Sequence, residues 1–230
     1  MALQRHDEVV LLLGAPGAGK GTQARFLAET LGVPHVASGE LLREHRARGT
    51  ALGRMAQDYM DRGDLVPDAV VVDMIASRLD EPDATRGALL DGFPRTLPQA
   101  EALERRLQER GGRVLEAIYV EVPTDVLIER LAGRWMCRVC QASYHQVFNP
   151  PTVAGVCSAC GGELYQRPDD QRNVVSNRVA VYLRDTHPVV ERYSRAGVLR
   201  RVNGNQSIDQ VKAALLEVVE AVSGGAAVPA

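Results

Sequence analysis

Two short patterns in this chain carry chemistry by residue type and spacing. The stretch "LLLGAPGAGKGTQ", Leu11 to Gln23, follows the phosphate-loop pattern G-x-x-x-x-G-K-[ST] through Lys20. It then places Gly21 where the pattern asks for a magnesium-binding hydroxyl and delays Thr22 by one residue. Gly14, Gly17, Gly19 and Gly21 let the backbone curl until successive N–H groups point at an anion, and the positive end of a following helix adds to that attraction. Lys20 would reach the terminal phosphates. The second pattern is Cys137, Cys140, Cys157 and Cys160: C-x2-C, sixteen intervening residues, then C-x2-C, a spacing that fits a zinc site. Four thiolates close a tetrahedral shell and leave no position for water or substrate, so a metal held there is structural. Zinc is the expectation; iron suits the same four sulfurs, and buried free thiols or two disulfides are the alternatives without metal.

The cations around these patterns are uneven in kind. Of 27 Lys and Arg residues only Lys20 and Lys212 are lysine. Against that background Lys20 reads as a position that needs a compact point charge rather than a planar fork. A net charge of −2 shows none of the basic excess expected of a protein that neutralises a nucleic-acid backbone. With 230 residues, 45% of them hydrophobic and 24% charged, one sizeable core with small insertions is expected. The early apolar run "VVLLL", preceded by Arg5, Asp7 and Glu8, is too short for a signal segment or a membrane span, so a cytoplasmic protein with no membrane partner is expected.

The elements that must position these residues alternate. "EVVLLL" reads as a buried strand and "GKGTQARFLAETLG" as the helix behind the phosphate loop. Further strands are read at "PHVA", "GALLDGFPR", "VLEAIYVEV" and "VLRRVNG", with helices at "PTDVLIERLAG" and "SIDQVKAALLEVVEAV". Ser38 is expected to cap the helix of "SGELLREHRARG", and Ser207 with Gln210 to form a capping box. This pattern predicts an α/β fold: a three-layer core around a parallel five-stranded sheet whose ligand crevice lies at the carboxyl ends of the strands. Two segments break the rhythm and read as insertions. Residues 1–37, 67–133 and 171–222 would form the core, 38–66 a helical insertion, 134–170 a small cysteine-bearing insertion like a zinc ribbon, and 223–230 a fraying tail.

The combination of "GAPGAGKGTQ" with "DGFPRT" resembles the adenylate kinase family of nucleoside monophosphate kinases, and the likeness runs from about Val9 to Val211. Gly after the lysine is normal in that family, so the resemblance implies an intact P-loop NTPase fold. It implies that magnesium is held mainly by nucleotide oxygens and by waters that Asp91 orients. It implies ATP at Gly17, Ala18, Gly19, Lys20, Gly21, Thr22, Arg130, Arg134 and Gln206, and AMP at Ser38, Arg43, Leu65, Val66, Gly92, Arg95, Gln99, Arg167 and Arg178. Segment 38–66 would be the monophosphate-binding insertion and 134–170 a lid. Arg43 and Arg95 match the pair that grips the monophosphate, and Gln99 the glutamine that pairs with adenine. Arg130 and Arg134, four apart and read as one helix face, match donor-side residues; Arg167 and Arg178 match those on the transferring phosphoryl group, and Asp169 and Asp170 acids of the hinge. Lys20, Asp91, Arg95, Arg134, Arg167 and Arg178 would carry catalysis.

The residues agree with that chemistry. A phosphate acceptor is already anionic and needs no general base, so arginines should dominate its site. The expected reaction is Mg-ATP plus AMP giving two ADP, performed by a monomer. A kinase of another monophosphate or with a GTP donor is the nearest rival. A zinc-ribbon P-loop protein that binds nucleic acid is a further one, although no N-K-x-D motif and no basic stretch interleaved with aromatics is present. His145, in "SYHQVF", is read as no metal ligand, since four sulfurs suffice, and His35 as structural.

Overall fold

A computed structural model describes residues 8–223 of the chain; the first seven residues and 224–230, most of the expected tail, lie outside them. Strand β1 (Glu8–Leu13) is buried at all six positions, as a continuous apolar run predicts for the centre of a sheet. It lies between β3 (Ala88–Asp91) and β4 (Arg113–Glu121), with β2 (His35–Ala37) and β8 (Leu199–Asn203) at the two edges. All four ladders are parallel, so the sheet expected from the alternating pattern is present. The strand order β2-β3-β1-β4-β8 sends the chain to opposite sides of β1, and the crevice at that switch point is where a ligand belongs.

Helix α1 (Lys20–Leu31) packs on α9 (Ile208–Ser223), fastened where the buried Gln23 donates its Nε2 to the carbonyl of Ile208 at 2.9 Å. A second group joins α4 (Asp68–Leu79), α5 (Leu97–Glu109) and α8 (His187–Arg195). The capping box forms: Ser207 N donates to Gln210 Oε1 at 3.1 Å and Gln210 N to Ser207 Oγ at 3.3 Å. Ser38 does not cap. It is already the first residue of α2 (Ser38–Ala47), and its hydroxyl donates to the carbonyl of Gly92 at 2.5 Å, because β2 ends beside β3 and brings that distant acceptor nearer than the helix's own amides.

Helices α2 and α3 (Ala51–Arg62) follow β2 with no strand between them. Beyond α6 (Thr124–Ala132), strands β5 (Arg134–Cys137), β6 (Ser143–His145) and β7 (Leu164–Tyr165) make a separate antiparallel sheet in the order β6-β5-β7. Its entry and exit are joined where Gln166 Nε2 donates to the carbonyl of Ala132 at 2.7 Å. Arg130 and Arg134 therefore do not share a helix face. α6 ends at Ala132, Gly133 closes it, and Arg134 opens β5 opposite His145. A Cβ at Gly133 would stand 2.3 Å from Nε2 of His145, so the ring of His145 occupies the space any side chain at this position would need. The chain returns through α7 (Arg172–Val181). Among the described residues no helix is long and apolar enough to cross a membrane.

Candidate active site

The loop between β1 and α1 curls as its glycines predict. Gly17 has φ 87°, and a Cβ there would lie 2.8 Å from the carbonyl of Leu127, so neither the backbone angle nor the space admits a side chain. At Gly21, by contrast, a Cβ would meet no atom within 4 Å, and that position opens into the cleft. The Nζ of Lys20 folds back onto its own loop, donating to the carbonyls of Gly14 at 2.6 Å and Ala15 at 3.1 Å. Burial pushes the lysine down to about 8, with Arg95, Arg178 and Arg134 pushing the same way and Asp91 opposing.

The loop opens on a cleft of about 1100 Å³. Every nucleotide-site residue expected from the sequence lines it: Gly17 to Thr22, Ser38, Arg43, Leu65, Val66, Asp91, Gly92, Arg95, Gln99, Arg130, Arg134, Arg167, Arg178 and Gln206. They come from seven separate stretches of chain: 17–22, 38–43, 65–66, 91–99, 130–134, 167–178 and 206. Asp91, the last residue of β3, pairs with Leu12 of β1 and Ala37 of β2, which fixes it on the floor. Burial opposes its ionisation, yet the hydrogen bond from His35 and the charges of Lys20 and Arg95 hold its carboxyl below the usual range. His35, expected from the sequence to be structural, lies 3.4 Å from Asp91 and lines the cleft. The signal lay in strand pairing: β2 and β3 must run parallel for the histidine to reach this acid.

The arginines divide into held and free. Arg134 grips Asp170 through two hydrogen bonds, Nε to Oδ2 at 2.8 Å and Nη2 to Oδ1 at 2.5 Å, and Arg178 donates to the same carboxylate at 2.9 Å. The Asp170 side chain is wholly buried, so this acid orients both guanidiniums. Arg178 also lies 3.1 Å from Asp169, whose carboxyl is held below its usual range: burial resists ionisation, but Arg178, Arg134, Arg167 and Arg43 overcome it. Arg95 donates to the carbonyl of Gly92 at 2.7 Å. Arg43 is lowered to about 10 by burial and by neighbouring Arg167. Arg167 is 9% exposed, and its Nε is buried with no partner. A buried guanidinium N–H left open among four other cations is a place for an anion.

Two further residues, His145 at the end of β6 and Phe148 in the turn after it, line the cleft. Nδ1 of His145 accepts from the amides of Val147 at 3.0 Å and Phe148 at 3.2 Å, which leaves Nε2 to donate toward the carbonyl of Glu129 at 3.3 Å. Phe148, which belongs to none of the sequence motifs, has its ring 5.8 Å from the guanidinium of Arg130 and also lines the cleft. Arg130 donates to the carbonyl of Gly204 at 2.9 Å.

The four cysteines form a separate centre. Their sulfurs all lie within 4.8 Å of one another, and the Cys137–Cys160 and Cys140–Cys157 pairs are each 3.5 Å apart. A tetrahedron of Zn–S bonds about 2.3 Å long has edges of about 3.8 Å, so the cluster fits such an ion. Amides of Val139 at 3.3 Å and Cys140 at 3.5 Å donate to Cys137 Sγ, as thiolate ligands require. Cys137, Cys157, Tyr144 and Leu164 form the small buried cluster of this sheet, which has little else to hold it.

Comparison with known proteins agrees with these features. The family model for adenylate kinase matches residues 12–198. A protein of Methanocella arvoryzae named adenylate kinase is 52% identical over 88% of this chain and 94% of its own length. One of Geobacillus sp. (strain WCH70) with the same name is 50% identical over 91% and 97%. A third, from Carboxydothermus hydrogenoformans and also named adenylate kinase, is 48% identical over 92% and 99%.

Proposed function

The chain belongs to the adenylate kinase family, and from that membership we propose that it moves the terminal phosphoryl group of ATP in line onto the phosphate of AMP, reversibly giving two ADP. The observation that carries this reading is the crowding of Lys20, Arg43, Arg95, Arg134, Arg167 and Arg178 around one cleft, with the Arg167 Nε unpartnered. Buried cations this close repel one another, and two polyphosphates laid end to end neutralise them.

In this reading the amides of Gly17 to Thr22 and Lys20 hold the phosphates of ATP, with Arg130, Phe148 and Gln206 around its base and ribose. Arg43 and Arg95 grip the AMP phosphate, Ser38 and Gly92 shape its floor, and Leu65, Val66 and Gln99 border its base. Arg134, Arg167 and Arg178 converge on the phosphoryl group as it passes between the two. The acceptor oxygen is already ionised, so no group need take a proton; alignment and fixed positive charge lower the barrier. Asp91 would orient the water shell of magnesium, which when bound screens the phosphate oxygens of ATP. The four cysteines would hold zinc as a structural ion.

We assign segments 38–66 and 134–170 as the bodies that cover the two nucleotides, and read the rest as the core. Residues of the lid sheet, Met136 and Ser143 among them, share the cleft with the phosphate loop, which is the arrangement that excludes water from a group in flight. With a net charge of −2 the protein suits free nucleotides rather than a nucleic-acid backbone, and we take it to work as a cytoplasmic monomer. Purified protein given Mg-ATP and AMP should form two ADP for each AMP consumed, and a panel of other monophosphates and donors should be poorer. Absence of ADP from metal-replete protein would overturn the reading.

A further inference from the structure

Gln99 in the first turn of α5 is 1% exposed, yet it lines the cleft beside Leu65, Val66 and Arg95. A carboxamide has four hydrogen-bonding capacities, two N–H donors and two oxygen lone pairs. Here two are used within the protein: Oε1 accepts from the backbone N–H of Arg95 at 2.7 Å, and Nε2 donates to Oδ1 of Asp68 at 2.7 Å. One N–H and one lone pair remain, side by side. They can serve only a ligand edge that carries a donor next to an acceptor.

The two partners differ in kind. A backbone amide can only donate and a carboxylate can only accept, so together they fix which end of the Gln99 amide is oxygen and which is nitrogen. Turning it over would set N–H against N–H and oxygen against carboxylate. Asp68 is itself secured. It is the first residue of α4, and its Oδ1 also receives the hydroxyl of Thr96 at 3.0 Å, while Thr96 Oγ1 accepts from the Gln99 backbone at 3.3 Å. Asp68 does not line the cleft; it stands behind Gln99.

We propose that Asp68 is a positioning residue for base choice: by locking the Gln99 amide in one orientation, it makes the acceptor end of the cleft take a 6-aminopurine monophosphate and refuse a 6-oxopurine one. This rests on the reading of that end as the AMP site. An aminopurine edge offers an exocyclic N–H beside a ring lone pair, whereas an oxopurine edge offers a carbonyl beside a ring N–H. The second pattern matches Gln99 only if the amide turns over, and the sugar attachment keeps the base from turning instead.

The test is the ratio of kcat/KM for AMP to kcat/KM for inosine monophosphate, with ATP as donor, in wild type, D68N and D68E. Asn can present either its oxygen or its amide to Gln99 and so removes one of the two constraints; the ratio should fall about tenfold, the worth of roughly one hydrogen bond. D68E, whose carboxylate still only accepts, should keep a ratio closer to that of wild type. KM for ATP should be unchanged in both, which a general loss of structure would not leave so. Should D68N fail to fold, D68S, whose hydroxyl likewise donates or accepts, takes its place. A folded D68N or D68S that phosphorylates AMP with an unaltered ratio overturns the inference. Wild-type protein that makes no ADP from ATP and AMP overturns the underlying reading instead.

Discussion

The parallel-sheet core and the cysteine-bearing segment 134–170 solve opposite problems. The core buries β1 completely and surrounds it with one continuous apolar cluster, so it is secure enough to carry Lys20 and Arg95 at depressed proton affinities in the same cleft. Segment 134–170 has an apolar cluster of only four buried residues, two of them cysteines, while Val139, Val147, Phe148 and Val153 stay exposed. An ion held by the four sulfurs would supply the cohesion that so small a cluster lacks. Strain from unmatched charge is thus stored where packing can bear it, and a metal would replace packing where little is available.

Withdrawing the metal should break this comparison most visibly. If zinc analysis finds one ion per chain, a chelator under reducing conditions removes from the lid on the order of 10 kcal/mol of binding free energy. The melt should then split, with Trp135 fluorescence changing first and the helical signal of the core persisting; a single unshifted transition in verified metal-free protein would count against it. Next in size is K20M. It should lower kcat by about 10² to 10³-fold, the scale of one preorganised electrostatic contact. The melting temperature should hold or rise, because a desolvated cation crowded by Arg95, Arg178 and Arg134 is gone. A loss of only a few fold would place Lys20 outside the chemistry.

Proton linkage sharpens the contrast. In the free protein Lys20 sits at about 8, below its ordinary 10.5, so between those values the native state binds fewer protons than the unfolded chain. This lysine's contribution to stability therefore rises as pH climbs from 8 toward 10.5 and is lost as pH falls through 8. A triphosphate beside Nζ restores the charge, so ATP binding at pH 9 should take up roughly 0.9 proton, and far less at pH 7. Calorimetry in buffers of different ionisation enthalpy measures this; zero uptake at pH 9 would contradict it. The smallest effect belongs to the lid surface. E163Q removes the exposed Arg138–Glu163 pair and should cost less than about 1 kcal/mol in chemical denaturation.

What could be read from the sequence followed the range of the forces involved. The β1–loop–α1 unit, the two cysteine pairs and the Ser207–Gln210 box are local, and local spacing announced them. The failures were long-range. Ser38 gives its hydroxyl to Gly92, fifty-four positions away, and the ring of His145 packs where a side chain at Gly133 would stand. The role of Asp68 depends on Gln99, thirty-one residues later. Strands β6 and β7, three and two residues long, are too short for any period to register, and their shape follows from the four sulfurs rather than from propensity.

The hydrogen bond from Gln166 to the carbonyl of Ala132 clasps the two chain crossings at the root of the lid. Pinned to each other in this way, the segment's entry and exit hold their spacing whatever lies between them. The exposed turn at Gly155 is therefore a place where a spliced peptide should leave the junction with the parallel sheet undisturbed.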